Sequence, residues 1–494
     1  MKRVLSIAIA SLFAGAAHSA DLMQVYRDAL ENDAQFASAR ASAEAGRERK
    51  AQGLSGLLPQ VGASAGTQYN DTNRDLPAPP ISGRYNSNNW GVKLTQPVFR
   101  LQNWYQYREG ELAAAVSELQ AKSAQQDLIV RVASAYFDLL NSQETLASIE
   151  AQKAANLQQL ELARKSFEVG TTTITDVHEA QSRFDLTVAR EAAARADVIV
   201  KTQSLRQITG KDQGALAPLR EGVRFEQPQP NDMSQWANNA ADGNLAAQQA
   251  QLASEIADRE VSSARSGHLP TADVVAQYGH TYTGAIGNII ASEAKVNSGS
   301  IGVQISVPIF AGGYTQSKVR EAVSLREKAR ADLENARRSA TLGAQQAYLG
   351  VTSGIAQVAG YEAALVSSKS AVESNKLGYQ VGVRINIDVL NAETQYYETF
   401  RQLARARYDT ALAQLKLKSA AGTLSEEDVK TINALLDPAA AGRPIVVPDT
   451  TPQPIGKDAA ASETKKETTT EPVAKKRGTP APTKKATEKP AKAN

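Results

Sequence analysis

The sequence predicts an all-α chain with a small β part, internally duplicated, in which long coiled-coil columns carry short membrane-facing strands. Two proline-free runs, Leu101–Val169 and Tyr314–Val381, hold 69 and 68 residues. At about 1.5 Å per residue each would reach roughly 100 Å as helix, whereas ordinary helices stop near about a dozen residues. Landmarks also recur at a fixed offset. Leu58-Pro59 returns as Leu269-Pro270 and Pro97 as Pro308, shifted by 211; Gly170 returns as Gly382, Asp176 as Asp388 and Gly210 as Gly422, shifted by 212. One register with a single-residue slip therefore runs through both halves. Finally, four stretches of about ten residues alternate apolar with small or polar side chains, the pattern of a sheet with one apolar face.

In chain order, residues 1–20 read as a secretory signal peptide: Lys2 and Arg3, an apolar run from Val4 to Ala17, then small residues up to Ala20. Asp21–Leu57 and Thr173–Thr209 are helical in composition and 37 residues each, together 74 against the 69 of the long run between them. Asn231–His268 and Asn386–Ala421 likewise total 74 against 68. Two short helices end to end thus match one long helix, giving each repeat two parallel columns, as coiled-coil pairing requires. Leu146, Ile149, Leu157, Leu160 and Phe167 are spaced by three, eight, three and seven residues, sums of the threes and fours of one helix face.

The alternating stretches are Val61 to Tyr69, Trp90-Val92-Leu94, Ala272 to Tyr278, and Ile301-Val303-Ile305-Val307. Asn70–Asn89, which includes Asp75-Leu76-Pro77-Ala78-Pro79-Pro80, and Thr283–Gly299 read as long polar loops between them. Four strands cannot close a barrel, and an open edge in lipid strands backbone groups without partners. A membrane-spanning version must therefore assemble from copies. Two would give a side-chain-filled barrel and three a barrel with room for a conduit, which favours a homotrimer.

The long runs end at matched turns. Gly170 and Gly382 are expected to be left-handed helix caps, Thr173 and Asn386 the N-caps of the returning helices. Asp176 and Asp388 then fall in the first turn, where a carboxylate suits the helix dipole. Among the differences between the two turns, Tyr379 answers to Phe167, and Arg384 to Thr172, so only the second repeat carries a phenol and a guanidinium there.

Composition excludes several classes. No cysteine is present, which removes disulfides, thiolate metal sites and a lipidated N-terminal Cys. His178, His268 and His280 form no metal-ligand spacing, and no nucleophile elbow or phosphate loop occurs. Ala311-Gly312-Gly313-Tyr314 reads as a strand-to-helix turn, and His280 as a solvated or loop residue. Neither an enzyme nor a cofactor or metal site is expected. The formal charge is +3, but residues 457–494 contribute +5 and Lys2 and Arg3 another +2, leaving −4 on the body. Nucleic acid is therefore not an expected partner. Residues 436–494, rich in Pro, Thr, Lys and Ala, are expected to be a disordered basic tail.

Across about Asp21 to Leu424 the chain resembles the TolC family of trimeric outer-membrane efflux and secretion channels. The resemblance rests on Asp21-Leu22-Met23-Gln24-Val25-Tyr26, Leu205-Arg206-Gln207-Ile208-Thr209-Gly210, Gly267-His268-Leu269-Pro270-Thr271 and both Val-Gly…Asp-Val turns. It implies a protomer over 21–435, with repeats 21–218 and 231–424. Three chains would share a twelve-stranded transmembrane β-barrel, four strands each, continued by a long α-helical coiled-coil barrel crossing the periplasm from the outer membrane of a Gram-negative cell. It implies outer-membrane lipid around the barrel. It also implies a periplasmic adaptor and an inner-membrane partner, a drug pump or ABC-type secretion transporter, with drugs or secreted proteins as cargo. Among residues, it implies a gate lock of Asp176, Tyr379 and Arg384, closed across neighbouring coils. It further implies an entrance constriction at Asp388, with Asn391 where the family pattern has a second aspartate ring, and adaptor-docking grooves at Gly170 and Gly382. The competing reading is an exported structural or adaptor coiled coil that never enters lipid.

Overall fold

The computed structural model describes residues 20–74, 81–285, 292–445 and 447. The signal segment before Ala20, the Pro77–Pro80 stretch and the tail beyond residue 447 lie outside them. The elements are α1 (Leu22–Asn32), α2 (Ala34–Ser55), β1 (Gln60–Arg74), β2 (Ile81–Phe99), α3 (Leu101–Glu168) and α4 (Ile174–Thr209). The second repeat follows with α5 (Met233–Gly243), α6 (Leu245–Ser266), β3 (Thr271–Thr283), β4 (Ala294–Ser306), α7 (Tyr314–Gln380) and α8 (Asn386–Ala420), then α9 (Glu426–Asn433).

The column arithmetic holds in space. Helix α2 packs along the first part of α3 and α4 along the second. Where the two short helices meet, Gly210 turns at φ +69, and a Cβ there would lie 3.0 Å from Asn32 Cβ. The second repeat repeats the joint: Gly422 turns at φ +73 against Gly243, and Asn244 Nδ2 donates to Ala420 O at 2.9 Å. Close approach between the two columns is visible at Gly110, where a Cβ would come within 2.5 Å of Arg49 O.

Each leading segment is broken rather than continuous. Asp33 leaves helical backbone at ψ 115, and its carboxylate accepts from Phe36 N at 2.6 Å while Arg131 donates to both its oxygens at 2.9 and 3.1 Å. Asn244 does the same for α6, accepting from Ala246 N at 2.9 Å. A side chain that caps its own downstream backbone competes with helix continuation, so each segment restarts. The main core lies beside the first of these breaks. Tyr26, Leu128, Leu205 and Leu415 are at most 1% exposed, and the phenol of Tyr136 donates to Ala217 O at 2.8 Å.

The strands form one antiparallel sheet in the order β1-β2-β3-β4. The registers Val61↔Leu94, Val92↔Tyr278 and Ala276↔Ile301 put the apolar positions of all four strands on one face. Gln60, Lys93, Gln277 and Ser300 share the other. The pairing of β2 with β3 joins the two repeats. At its foot Arg100 grips Asp273 through two hydrogen bonds of 2.8 and 2.6 Å, tying the start of α3 to the sheet. Pro97, which lacks an N–H, sits where the ladder shifts register before α3 begins.

Four expectations need correction. The polar stretches read as loops are largely strand: β1 and β2 pair out to Arg74↔Ile81, and β3 and β4 to Thr283↔Ala294. Ladder hydrogen bonds come from the backbone, so Asn, Ser and Thr pair as readily as apolar residues once the hairpin is nucleated. His280 is not in a loop but within β3, its Nδ1 2.7 Å from Asn297 Oδ1. Asn386 is not an N-cap; it is a buried first helical residue, and Ile385 holds the cap position without a side-chain bond. The body also extends past residue 435. Leu436 is fully buried in the core and pairs with Leu219, because α9 is amphipathic and carries its apolar stripe on to that residue.

Candidate gate at the helix tips

The α3–α4 and α7–α8 columns end in two short turns built alike. Gly170 N donates to Phe167 O at 2.9 Å and Thr171 N to Ser166 O at 2.9 Å; Gly382 N donates to Tyr379 O at 3.1 Å and Val383 N to Gly378 O at 2.9 Å. Both glycines hold positive φ, +76 and +80, which a Cβ would strain. No atom lies within 4 Å of where that Cβ would stand, so both face open space in the protomer. Val169, Val381 and Val383 beside them are 65–78% exposed.

In the first turn, Thr173 caps α4 in a capping box with Asp176: Thr173 N and Oγ1 reach Asp176 Oδ2 at 3.1 and 3.0 Å. The Thr172 hydroxyl donates to the same oxygen. That hydroxyl is the foremost cause holding the Asp176 carboxyl below its ordinary range, against the opposing effect of burial, with further help from the Thr173 bonds. Tyr379 is half-buried, hydrogen-bonded with Ser166, and close enough to Asp176 to feel its charge; burial first and that carboxylate second push its phenol up.

Two of the three expected lock residues therefore lie within electrostatic reach of each other inside one chain, and Arg384 lies beside Asp388 instead. Arg384 Nη1 lies 3.6 Å from Asp388 Oδ2, four residues on. The geometry is pseudo-symmetric: Thr172 reaches Asp176 as Arg384 reaches Asp388, each across four positions. Asp176 already has local donors, while Asp388 has a neighbour long enough to reach it. Asn391, one turn beyond, accepts from Arg183 Nη2 of α4 at 2.9 Å.

Higher up, a pair that the sequence reading missed crosses the columns. Lys376 of α7 and Glu393 of α8 are 2.8 Å apart, with side-chain exposures of 10% and 1%. Burial raises the Glu393 carboxyl, opposed by Lys376 and by a hydrogen bond with Gln159 of α3. The signal available was charge at a position of α8 otherwise filled by Val389, Tyr396 and Leu403, the apolar stripe of a coiled coil.

No helix among the described residues is long and apolar enough to cross a membrane, and no group of three His, Asp or Glu is placed to hold a metal. The family model described as outer membrane efflux protein matches residues 25–211 and 236–423, one match per repeat. The chain is 35% identical to the outer membrane protein TolC of Vibrio cholerae, over 88% of this chain and 98% of that one. It is 31% identical to the alkaline protease secretion protein AprF of Pseudomonas aeruginosa, over 84% and 86%. Its fold matches the crystal structure of the Campylobacter jejuni CmeC outer membrane channel at a TM-score of 0.71, with 18% identity over 84% and 90% of the two chains. These matches cover both repeats, the sheet and the tips together. The chain belongs to the outer membrane efflux protein family, as an efflux and secretion channel of the Gram-negative outer membrane.

Proposed function

We propose that three copies of this chain close one conduit. Each gives four strands to a twelve-stranded barrel and its α3–α4 and α7–α8 columns to a periplasmic tunnel gated at the tips. The observation that carries this is the sheet: one apolar face runs unbroken across four strands, and β1 and β4 each keep an edge unpaired among the described residues. In lipid such edges cost several kcal/mol per unpaired group, and a ring of copies removes them. The conduit passes drugs or secreted polypeptides delivered by an inner-membrane pump or ABC-type transporter through a periplasmic adaptor, and performs no catalysis itself. Gly170 and Gly382, open to solvent beside exposed valines, suit the adaptor's docking.

Asp176, Tyr379 and Arg384 hold the tips shut and Asp388 lines the narrowest ring. The support for this is the Asp176–Tyr379 proximity and an Arg384 engaged by Asp388 only at 3.6 Å, free to exchange partners on assembly. Single-channel recording in planar bilayers tests the reading. The purified protein should give discrete channels, and Tyr379→Phe with Arg384→Ser should raise their conductance. A protein that gives no channels is the exported scaffold instead, and an unchanged conductance in the double variant removes these residues from the lock.

A further inference from the structure

Helices α4 and α8 meet along a polar seam that repeats every seven residues, the spacing of positions on one coiled-coil seam. Arg183 faces Asn391 at 2.9 Å. Seven residues on, the charge of Arg190 bears on Glu398 and lowers its carboxyl, after the larger effect of Arg401. Seven further, Asp197 and Arg405 line one cleft of about 290 Å³, together with Lys201 and Asp409 in the same register. One heptad below Arg183, the register sets Asp176 level with Arg384. By register the other rungs set a cation level with an acid, although Arg384, Glu398, Arg405 and Lys201 take their ion pairs from Asp388, Arg401, Asp409 and Asp138. At the rung of Arg183 the residue across the seam is a neutral amide, and no ion pair to Arg183 is found among the described residues. One hydrogen bond to Asn391 uses one of its five donors and none of its charge.

We infer that Arg183 is a specificity-determining residue of the entrance, presenting an uncompensated guanidinium that attracts anionic groups, carboxylate or phosphate, on passing solutes. The inference rests on the reading of the helix tips as the narrow end of the conduit. Asp388 lies three positions before Asn391, so in a ring of copies a layer of guanidinium groups follows a layer of carboxylates already engaged by Arg384. Facing charges of this kind set the ion preference of a pore. A guanidinium also takes oxyanions through paired N–H donors, so the layer is a binding site for anions as well as a field.

Reversal potentials across a KCl gradient test it, with channels of the full chain in planar bilayers. The charge at this rung is +1 per chain, zero in R183Q, zero in N391D through pairing of the new carboxylate with Arg183, and −1 in the double variant. The potassium-to-chloride permeability ratio should rise from the parent to the two single variants, by about twofold or more, and again to the double variant, while R183K keeps the parental value. Inorganic pyrophosphate added on the helix-tip side should reduce the current of the parent, and R183Q should need at least about threefold more of it. D388A serves as the control for the entrance itself. If D388A shifts the ratio while R183Q leaves both the ratio and the pyrophosphate response unchanged, Arg183 is no part of the selectivity. If neither variant shifts it, the reading of the tips as the constriction fails and takes this inference with it.

Discussion

Thr172 and Arg384 occupy the same place in the two repeats, and each serves the carboxylate four residues on. The Thr172 hydroxyl donates to its aspartate, which Thr173 also bonds, whereas the guanidinium of Arg384 stands 3.6 Å from its own. Asp176 is therefore the fixed member of the tip and Asp388 the one that can change partners. Because the Asp176 carboxyl is lowered in the fold, its contribution is complete above the ordinary carboxylate range, near 3.8, and is lost as pH falls through the lowered value. Thr172→Val keeps the shape and removes the donor. Hydrogen exchange of the amides from Thr173 to Val177 should then quicken at neutral pH, by an amount corresponding to about 1 kcal/mol, typical of a lost cap. The parent should approach the variant's rate constant for opening only in acid. Equal protection at neutral pH would mean that the capping box with Thr173 alone holds the turn. The phenol of Tyr379 is pushed above 10.0 by burial and then by Asp176, so it keeps its proton throughout the physiological range and enters any lock as a donor.

At the scale of elements, the long helices were legible to within a residue: proline-free runs and the closing glycines bound α3 and α7. The breaks at Asp33 and Asn244 were not, because a helix-capping Asp or Asn looks like any polar surface residue until the arginine or backbone that it faces is known. Nor was the extent of the strands, since backbone pairing does not depend on side-chain polarity. At the tips, sequence placed both capping glycines and Thr173 but took Asn386 for an N-cap. The contact of Arg384 with Asp388 within one chain was not legible, because it depends on geometry across four residues. The buried Lys376–Glu393 pair joins α7 to α8, and Glu393 also reaches Gln159 of α3. Removing one member takes the opposite charge away from a buried group, a loss of up to about 3–5 kcal/mol, whereas replacing both with apolar residues of similar volume is close to neutral. Glu393→Ala should accordingly lower the unfolding midpoint of the purified oligomer sharply, and Lys376→Met combined with Glu393→Leu should recover most of it. Additive losses in the double variant would show that the two residues act separately.

At the scale of the whole molecule, the two faces of the sheet meet opposite surroundings, and adjacent residues of β4 report on them independently. Ile301 is 79% exposed on the apolar face, in line with Ala276 of β3. Gly302 points to the other face, and no atom lies within 4 Å of where its Cβ would be. If the apolar face touches lipid, a lysine at 301 places a charge against hydrocarbon at about 2–4 kcal/mol near the midplane. The penalty applies to each chain of a ring. A lysine at 302 would project into a wet lumen at little cost. Ile301→Lys should therefore deplete the protein from outer-membrane fractions and from the oligomer band on mild electrophoresis, while Gly302→Lys assembles normally. The paired design removes the usual ambiguity, since both variants add the same charge to the same strand at the same depth. A scaffold that never enters the bilayer would tolerate both lysines equally, whereas a barrel wall distinguishes positions one residue apart because successive side chains of a strand face opposite ways.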